Sequence, residues 1–360
     1  MTHKAPVRFS AKLENIEPKK EAETILDLDD AFDEILETTY KNSGHAIRSV
    51  HAKSHGIVTG QFIVDGNLAP ELAQGIFAKP GTHTAYFRLS TNAGDILSDQ
   101  IHLPRGCALK ICGVEGQRLE GAEGDTQDFI FLNAPAFPVP DAQAFAKNVK
   151  LLAKTTDRVE WLKKIVADTF EAANAACQKV GLGRSPALAS MGGVPQSEPL
   201  GLEYYSATPF RYGDYVAKFM LRPASDWMKA LEGETVEIGD DEDALRHRVR
   251  EQFHAHDAEW DFCVQLLRDT EKQPVEDASV EWPQDVSPFE KVATLKIPAQ
   301  DSWDEQLVPK VNERMHFSPW TGVLAHLPMG NVNRARQETY RHSVRFRAAR
   351  NGCPITEPSS

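Results

Sequence analysis

The sequence predicts an α+β protein built on an eight-stranded antiparallel β-barrel with inserted and C-terminal helices. Three observations lead there. Eight short runs rich in β-branched and aromatic residues lie between residues 56 and 297. A stretch of helical periodicity, at about 141–190, separates the fourth run from the fifth. A polar, arginine-rich helix follows the last run.

Residues 1–20 are polar and are expected to form a loosely held N-terminal arm. In EAETILDLDDAFDEILETTYK (21–41), Ile25, Leu28, Phe32, Ile35 and Leu36 recur at helical spacing, which predicts an acidic helix with one apolar face. The first four strand candidates are GIVTGQFIV (56–64), HTAYFRLST (83–91), GCALKICGV (106–114) and DFIFL (128–132). The other four are LEYYSAT (202–208), DYVAKFMLR (214–222), EWDFCVQLL (259–267) and KVATLKI (291–297). Several alternate apolar and polar residues, as half-buried antiparallel strands do. Closing such a sheet removes its edges, and a barrel of about eight strands can hold one ligand. Within the insertion, DRVEWLKKIVADTFEAANAACQKV reads as one long amphipathic helix ending near Gly181. The last helix covers about 332–350, with Asn331 or Asn333 placed to cap its start and Gly352 its end. The barrel domain is therefore expected over 21–350, with a short tail at 351–360.

The 360-residue chain carries a formal charge of −12, which argues against nucleic acid or an anionic membrane as its main partner. Its five cysteines, Cys107, Cys112, Cys177, Cys263 and Cys353, form no CxxC pair. That pattern predicts free thiols in a reducing compartment, and a cytoplasmic location is expected. No apolar signal segment opens the sequence, and no run of about 18 apolar residues predicts a membrane span. The pattern FHAHDAEW (253–260) places His254, His256 and Asp257 together, but Ala258 breaks a metal-ligand repeat and the segment reads as a polar turn. No strand–glycine-loop–helix fingerprint predicts a nucleotide site.

Against this acidic background, two basic segments stand out. HAIRSVHAKSHG (45–56) gathers three histidines, an arginine and a lysine. The terminal helix NVNRARQETYRHSVRFRAARNG carries Arg334, Arg336, Arg341, Arg345, Arg347 and Arg350. Such helices usually present a solvated or anion-binding face. Here the spacing places Arg336, Tyr340 and Arg347 on one stripe, with Arg336 and Tyr340 neighbours at i, i+4. A tyrosine beside a guanidinium loses its proton more readily, and a phenolate oxygen is a hard anionic ligand suited to Fe(III).

Five segments then form a pattern. RQETY followed by RHSVRFR resembles the proximal helix of haem catalases, and RSVHAK resembles their distal histidine segment. YFRLSTNAGD, LPRGCALKI and DFIFLNAPAF resemble their distal serine, Pro-Arg-Gly and distal asparagine segments. All five occur in the family's order, over about 48–347. Tyrosine-ligated haem in catalase is itself the standard example of this ligation.

The resemblance implies one haem b (Fe) with Tyr340 as axial iron ligand and Arg336 holding it as phenolate. It implies His51 as the distal acid–base residue, Asn133 as its polar partner and Ser90 as its hydrogen-bond partner. Arg48, Arg88 and Arg347 would meet the haem propionates, Val50 would narrow the approach to iron, and Phe145 would pack on the haem. His45 is expected at the surface, and Lys53 and His55 along the strand or in surface contacts. The implied reaction is peroxide decomposition, as catalase, peroxidase or both, in a homo-oligomer (dimer or tetramer). Two other readings stay open: an isomerase or dehydrase acting on fatty-acid hydroperoxides, and a haem carrier or sensor. A distal acid–base pair favours the enzyme over the carrier.

The chain departs from the family pattern in several places. Gly330 stands where an acidic member of a relay behind the proximal arginine is expected, and EYYSAT offers no histidine. Ordinary members have a longer N-terminal arm and continue beyond the proximal helix, and most of the region that usually holds NADPH is missing. The resemblance is therefore to the small catalase-related haem peroxidases. It implies wider access to the haem, hence turnover of organic hydroperoxides or reductants beside hydrogen peroxide.

Overall fold

The computed structural model describes residues 3–153 and 195–358. Nine strands form one antiparallel sheet: β1 (Ser54–Val64), β2 (Gly81–Thr91), β3 (Arg105–Ile111), β4 (Gln127–Leu132), β5 (Tyr204–Tyr205), β6 (Phe210–Tyr212), β7 (Tyr215–Pro223), β8 (Ala258–Leu266) and β9 (Glu290–Ile297). β5 pairs with both β4 and β7, and β9 pairs with β1. Eight strands thus close a ring, and β6 adds to β7 outside it. The eight expected strands are the eight of the ring, in order. LEYYSAT is cut to two residues, because Ala207 turns the chain with φ 57° just before Pro209. β6 was not expected; three residues are too few for alternation to register.

Alternation sends one face of each strand inward. Phe62, Phe129, Phe131, Phe219 and Phe262 meet Phe77, Trp260 and Tyr212 there, all essentially without solvent contact. Burying each is worth about 1.5–3 kcal/mol. The interior is therefore packed with aromatic rings and leaves the expected ligand to the outside of the wall. The opposite face of β2 carries Tyr86, Arg88 and Ser90. There Ile57, Ala108 and Ile130 pack on a helix at Leu307–Arg314.

Five helices of eight or more residues lie among the described residues: α1 (Pro18–Ser43), α2 (Ala142–Ala153), α3 (Ala244–Ala255), α4 (Leu307–Arg314) and α5 (Asn331–Asn351). Leu28, Ala31, Phe32 and Ile35 of α1 join Ala142, Ala146 and Val149 of α2 and Ala335 of α5 in a separate apolar layer. α2 is the start of the expected insertion; the long helix read at 157–180 lies outside the described residues. Gly352 closes α5 in the left-handed conformation, as expected. Its start is not capped by Asn331 or Asn333. The N-cap is Gly330, while Asn331 accepts from Ala142 N–H and bonds Glu276.

The arm is not loosely held. Val7, Phe9 and Leu13 pack against Val216, Leu267 and Trp282, and Val7 N–H donates to Leu267 O at 2.7 Å. Arg334 then draws Glu14, Glu21 and Glu276 together, tying the arm and α1 to α5. Polarity alone hid this, since three apolar residues spaced through a polar segment suffice to dock it. Cys107, Cys112, Cys263 and Cys353 are free thiols. No helix among the described residues is long and apolar enough to cross a membrane.

Candidate active site

His51 sits just before β1 with φ 53°, a left-handed conformation that costs a non-glycine residue free energy. Its segment is pinned to the end of β2: His51 N–H donates to Asn92 O at 3.2 Å, and Ala52 N–H to Ala93 O at 2.9 Å. The imidazole Nδ1 lies 3.0 Å from Ser90 Oγ. Ser90 leans toward Gly106 O at 3.4 Å, so its oxygen is placed to accept from Nδ1–H. That tautomer leaves Nε2 with its lone pair. Gly106 makes room for the ring, because a Cβ there would stand 2.5 Å from His51 Cε1. Burial, then the charges of Arg88, Arg336 and Arg48, push the His51 pKa down to about 3. The imidazole is therefore neutral across the physiological range.

Beside it, three guanidinium groups converge. Arg48 donates to Asn312 O at 2.9 Å and Val311 O at 3.0 Å. Arg88 donates to Asn312 Oδ1 at 3.1 Å and to His51 O at 2.9 Å. Arg347, from α5, donates to Asn312 O at 2.8 Å, while its buried Nε–H has no partner. Burial lowers the pKa of all three, and repulsion by neighbouring arginines adds to it at Arg48 and Arg88; Arg88 falls to about 9 and Arg347 to about 10, still protonated at neutral pH. No ion pair joins any of the three to a carboxylate among the described residues. Buried charge of one sign calls for an anion. Asn312, at the end of α4, organises all three and was missed from sequence; a lone asparagine on a helix gives no pattern to find.

The arginines of α5 divide into two sets. Arg334, Arg341, Arg345 and Arg350 each meet a carboxylate. Arg336 and Arg347 meet only neutral oxygens. Arg336 donates to Tyr340 Oη at 3.1 Å and to Asn333 Oδ1 at 3.1 Å, with its guanidinium 5.3 Å from the Tyr340 ring centre. The stripe expected from spacing is therefore formed. Arg347, seven residues on, lies about 10 Å along the axis, the scale of a porphyrin.

The family model for catalase matches residues 28–305. The chain belongs to the catalase family. Solved catalases share its fold at low identity. A fungal catalase superposes with a TM-score of 0.60 at 19% identity, covering 88% of this chain and 62% of the other. Catalase A from Saccharomyces cerevisiae gives 0.61 at 20%, covering 86% and 63%. A bacterial catalase gives 0.57 at 16%, covering 89% and 62%. The chain thus spans less than two thirds of the length of these catalases. No curated protein matches the sequence.

Catalase-family proteins usually bind haem, and the donor set here fits that group. Tyr340 offers an oxygen held by a cation, and the Arg48–Arg88–Arg347 cluster, with the orphaned Arg347 Nε, offers a place for two carboxylates. Other expected residues are distributed around this centre. Val50 and Phe145 border the α1–α2–α5 layer, with Phe145 5.1 Å from Phe137. Ser49 N–H reaches Ser343 Oγ of α5 at 3.3 Å, so the distal segment touches the proximal helix. Asn133 Oδ1 accepts from Arg105 N–H at 2.9 Å, one ladder step from Gly106. Its bond is thus to the strand backbone and not to His51. His45 is at the surface beside Glu313, as expected. Lys53 and His55 are not surface residues. Lys53 is buried against Asp99 at 2.8 Å, and both His55 ring nitrogens are buried without a hydrogen-bond partner, Nδ1 lying 3.9 Å from Asp99 Oδ1. A register irregularity at Ser54/Gly56 lies beside His55, and alternation cannot foresee it. The His254–Asp257 segment is the expected helix-to-strand turn, with His256 stacked on Trp227 at 5.0 Å.

Proposed function

We propose that this catalase-family chain binds one haem b, with Tyr340 as the iron ligand, and decomposes peroxide with His51 as the acid–base group. One observation carries the reading. Of six arginines on α5, only the two on the Tyr340 stripe are left without a carboxylate among the described residues. Surface charge would not select that pair. A bound haem would supply the redox-active iron and two propionates. Arg48, Arg88 and Arg347 would hold the propionates, and Arg336 would donate to the iron-bound Tyr340 oxygen.

His51 moves the proton. Its Nε2 would accept a proton from the inner peroxide oxygen and return it to the outer one, which leaves as water with the O–O bonding pair; the two electrons needed at the remaining oxygen would come from the haem. Ser90 holds the ring through Nδ1, keeping Nε2 as the base. Propionates paired with the arginines would offset only the smaller, cationic part of the depression of the His51 pKa; the larger part comes from burial. Asn133, one ladder step away, supplies an uncharged polar edge for the peroxide.

The test is Tyr340→Phe in the haem-reconstituted full chain. The wild type is expected to show a high-spin ferric spectrum, and the variant to lose or weaken haem. Unchanged haem content and spectrum in the variant would exclude the assigned ligand. Oxygen release from hydrogen peroxide, measured beside turnover of a bulky alkyl hydroperoxide with an aromatic reductant, separates catalase from peroxidase and dehydrase chemistry.

A further inference from the structure

Behind Arg336 lies a group that the proposed chemistry does not yet use. Asn333 is fully buried on the first turn of α5. Its Nδ2 donates to Pro209 O at 2.9 Å and Met329 O at 3.1 Å. Its Oδ1 accepts from Arg336 at 3.1 Å and from Thr208 Oγ1 at 3.0 Å, the shorter of that hydroxyl's two contacts, the other being Ser206 O at 3.2 Å. Both amide hydrogens and both oxygen lone pairs are thus engaged, which fixes which way the amide faces. Its backbone oxygen accepts from Trp320 Nε1 at 2.7 Å. An asparagine held by four side-chain bonds cannot swing away, and neither can the guanidinium that leans on it.

The geometry points to Asn333 as a positioning residue: the chain Thr208–Asn333–Arg336–Tyr340 fixes the guanidinium while leaving its positive charge directed at the Tyr340 oxygen. The inference rests on the haem reading above. A carboxylate at this place would pair with Arg336 and draw its charge away from the phenolate. An amide supplies the same acceptor oxygen at the same distance without that charge. The Tyr340 oxygen is then a weaker donor than it would be beside a neutralised arginine. Hydrogen bonding to the partner of a metal ligand tunes that ligand and through it the iron's reduction potential. Thr208 contributes by occupying one lone pair of the Asn333 oxygen, which weakens that oxygen further as an acceptor for Arg336.

The experiment measures the Fe(III)/Fe(II) midpoint potential and the iron–phenolate Raman band of the haem-loaded full chain. Asn333→Asp is isosteric and adds the carboxylate. Its midpoint is expected to move to more negative values, with a strengthened iron–phenolate band. Most of that shift is expected to vanish in an Arg336→Gln background, since the effect passes through the guanidinium. Thr208→Val removes one hydroxyl at nearly constant volume. It is expected to shift the midpoint in the same direction by less, and it decides the matter if the buried carboxylate prevents folding or Arg336→Gln loses haem. An unchanged potential in Thr208→Val, or an Asn333→Asp shift retained in full without Arg336, overturns the inference. Tyr340→Phe in the same series tests the parent reading separately: a wild-type spectrum there refutes the haem ligand itself, whatever the Asn333 variants do.

Discussion

At the scale of single residues, the proposed site divides its duties: His51 handles the proton and the arginines the propionates. His51 is neutral because it is buried among cations, whereas Arg88 and Arg347 stay charged under the same pressure. The difference follows from their starting pKa values, about 6.5 against 12 or more. For His51→Ala we expect haem to be retained and the peroxide-induced change in haem absorbance to slow by roughly 10²–10⁴, the usual worth of general acid–base help. Stopped-flow mixing measures it, and a wild-type rate would remove His51 from the mechanism. Arg347→Leu should act on the other duty. Removing one partner of a buried ion pair costs about 3–5 kcal/mol. Haem affinity, read by transfer to a competing acceptor, should therefore fall by on the order of 10²–10⁴. Equal affinity would mean that the cluster serves something other than the propionates.

At the scale of elements, the site exists because four pieces meet: the segment with Arg48 and His51 ahead of β1, the outer face of β2 and β3, the C-terminal end of α4, and α5. β2 presents Arg88 and Ser90 on one face by alternation, and β3 presents Gly106 beside them. That glycine is a space requirement as much as a backbone one. Gly106→Ala puts a methyl group 2.5 Å from His51 Cε1, closer than real contacts allow. The ring must swing away from Ser90. We expect the variant to fold and keep haem, and to react with peroxide nearly as slowly as His51→Ala. Fast reaction in Gly106→Ala would show that the ring position is not fixed by this wall.

At the scale of the whole molecule, the barrel is a packed support whose interior carries one hidden cost. His326 is fully buried among Phe77, Phe129, Tyr212 and Phe219, and its Nε2 accepts from Ile76 N–H at 3.1 Å. Burial pushes its pKa down to about 3. Above about pH 6.5 both folded and unfolded chains hold it neutral. Between about 6.5 and 3 the unfolded chain takes up a proton that the folded chain refuses, so folding stability falls as the pH falls. The loss from this residue reaches at most about 5 kcal/mol at the lower limit. Urea midpoints measured from pH 7 to pH 4 should show that decline, and His326→Gln, which keeps an acceptor, should make it shallower. An unchanged slope in the variant would place the acid sensitivity elsewhere, with buried His55 the next group to examine.

What the sequence determined by itself were features written in neighbouring residues. Alternation over five to nine residues marks the ring strands, and a four-residue spacing on a helix is enough to join Arg336 to Tyr340. The ordered segments around His51, Ser90 and Asn133 likewise carried the family resemblance. The tertiary structure decided what depends on partners far apart in the chain. Which face of the wall receives the site follows from how aromatic side chains of many strands fill the interior. The burial of Lys53 is matched by Asp99, and the docking of the arm depends on Val216, Leu267 and Trp282. Asn312 and the Thr208–Asn333 pair gain meaning only when the guanidinium groups are brought to them. A hydrogen bond spanning a hundred or more residues leaves no period in the sequence, because its geometry is set by packing and not by the spacing of the residues that make it.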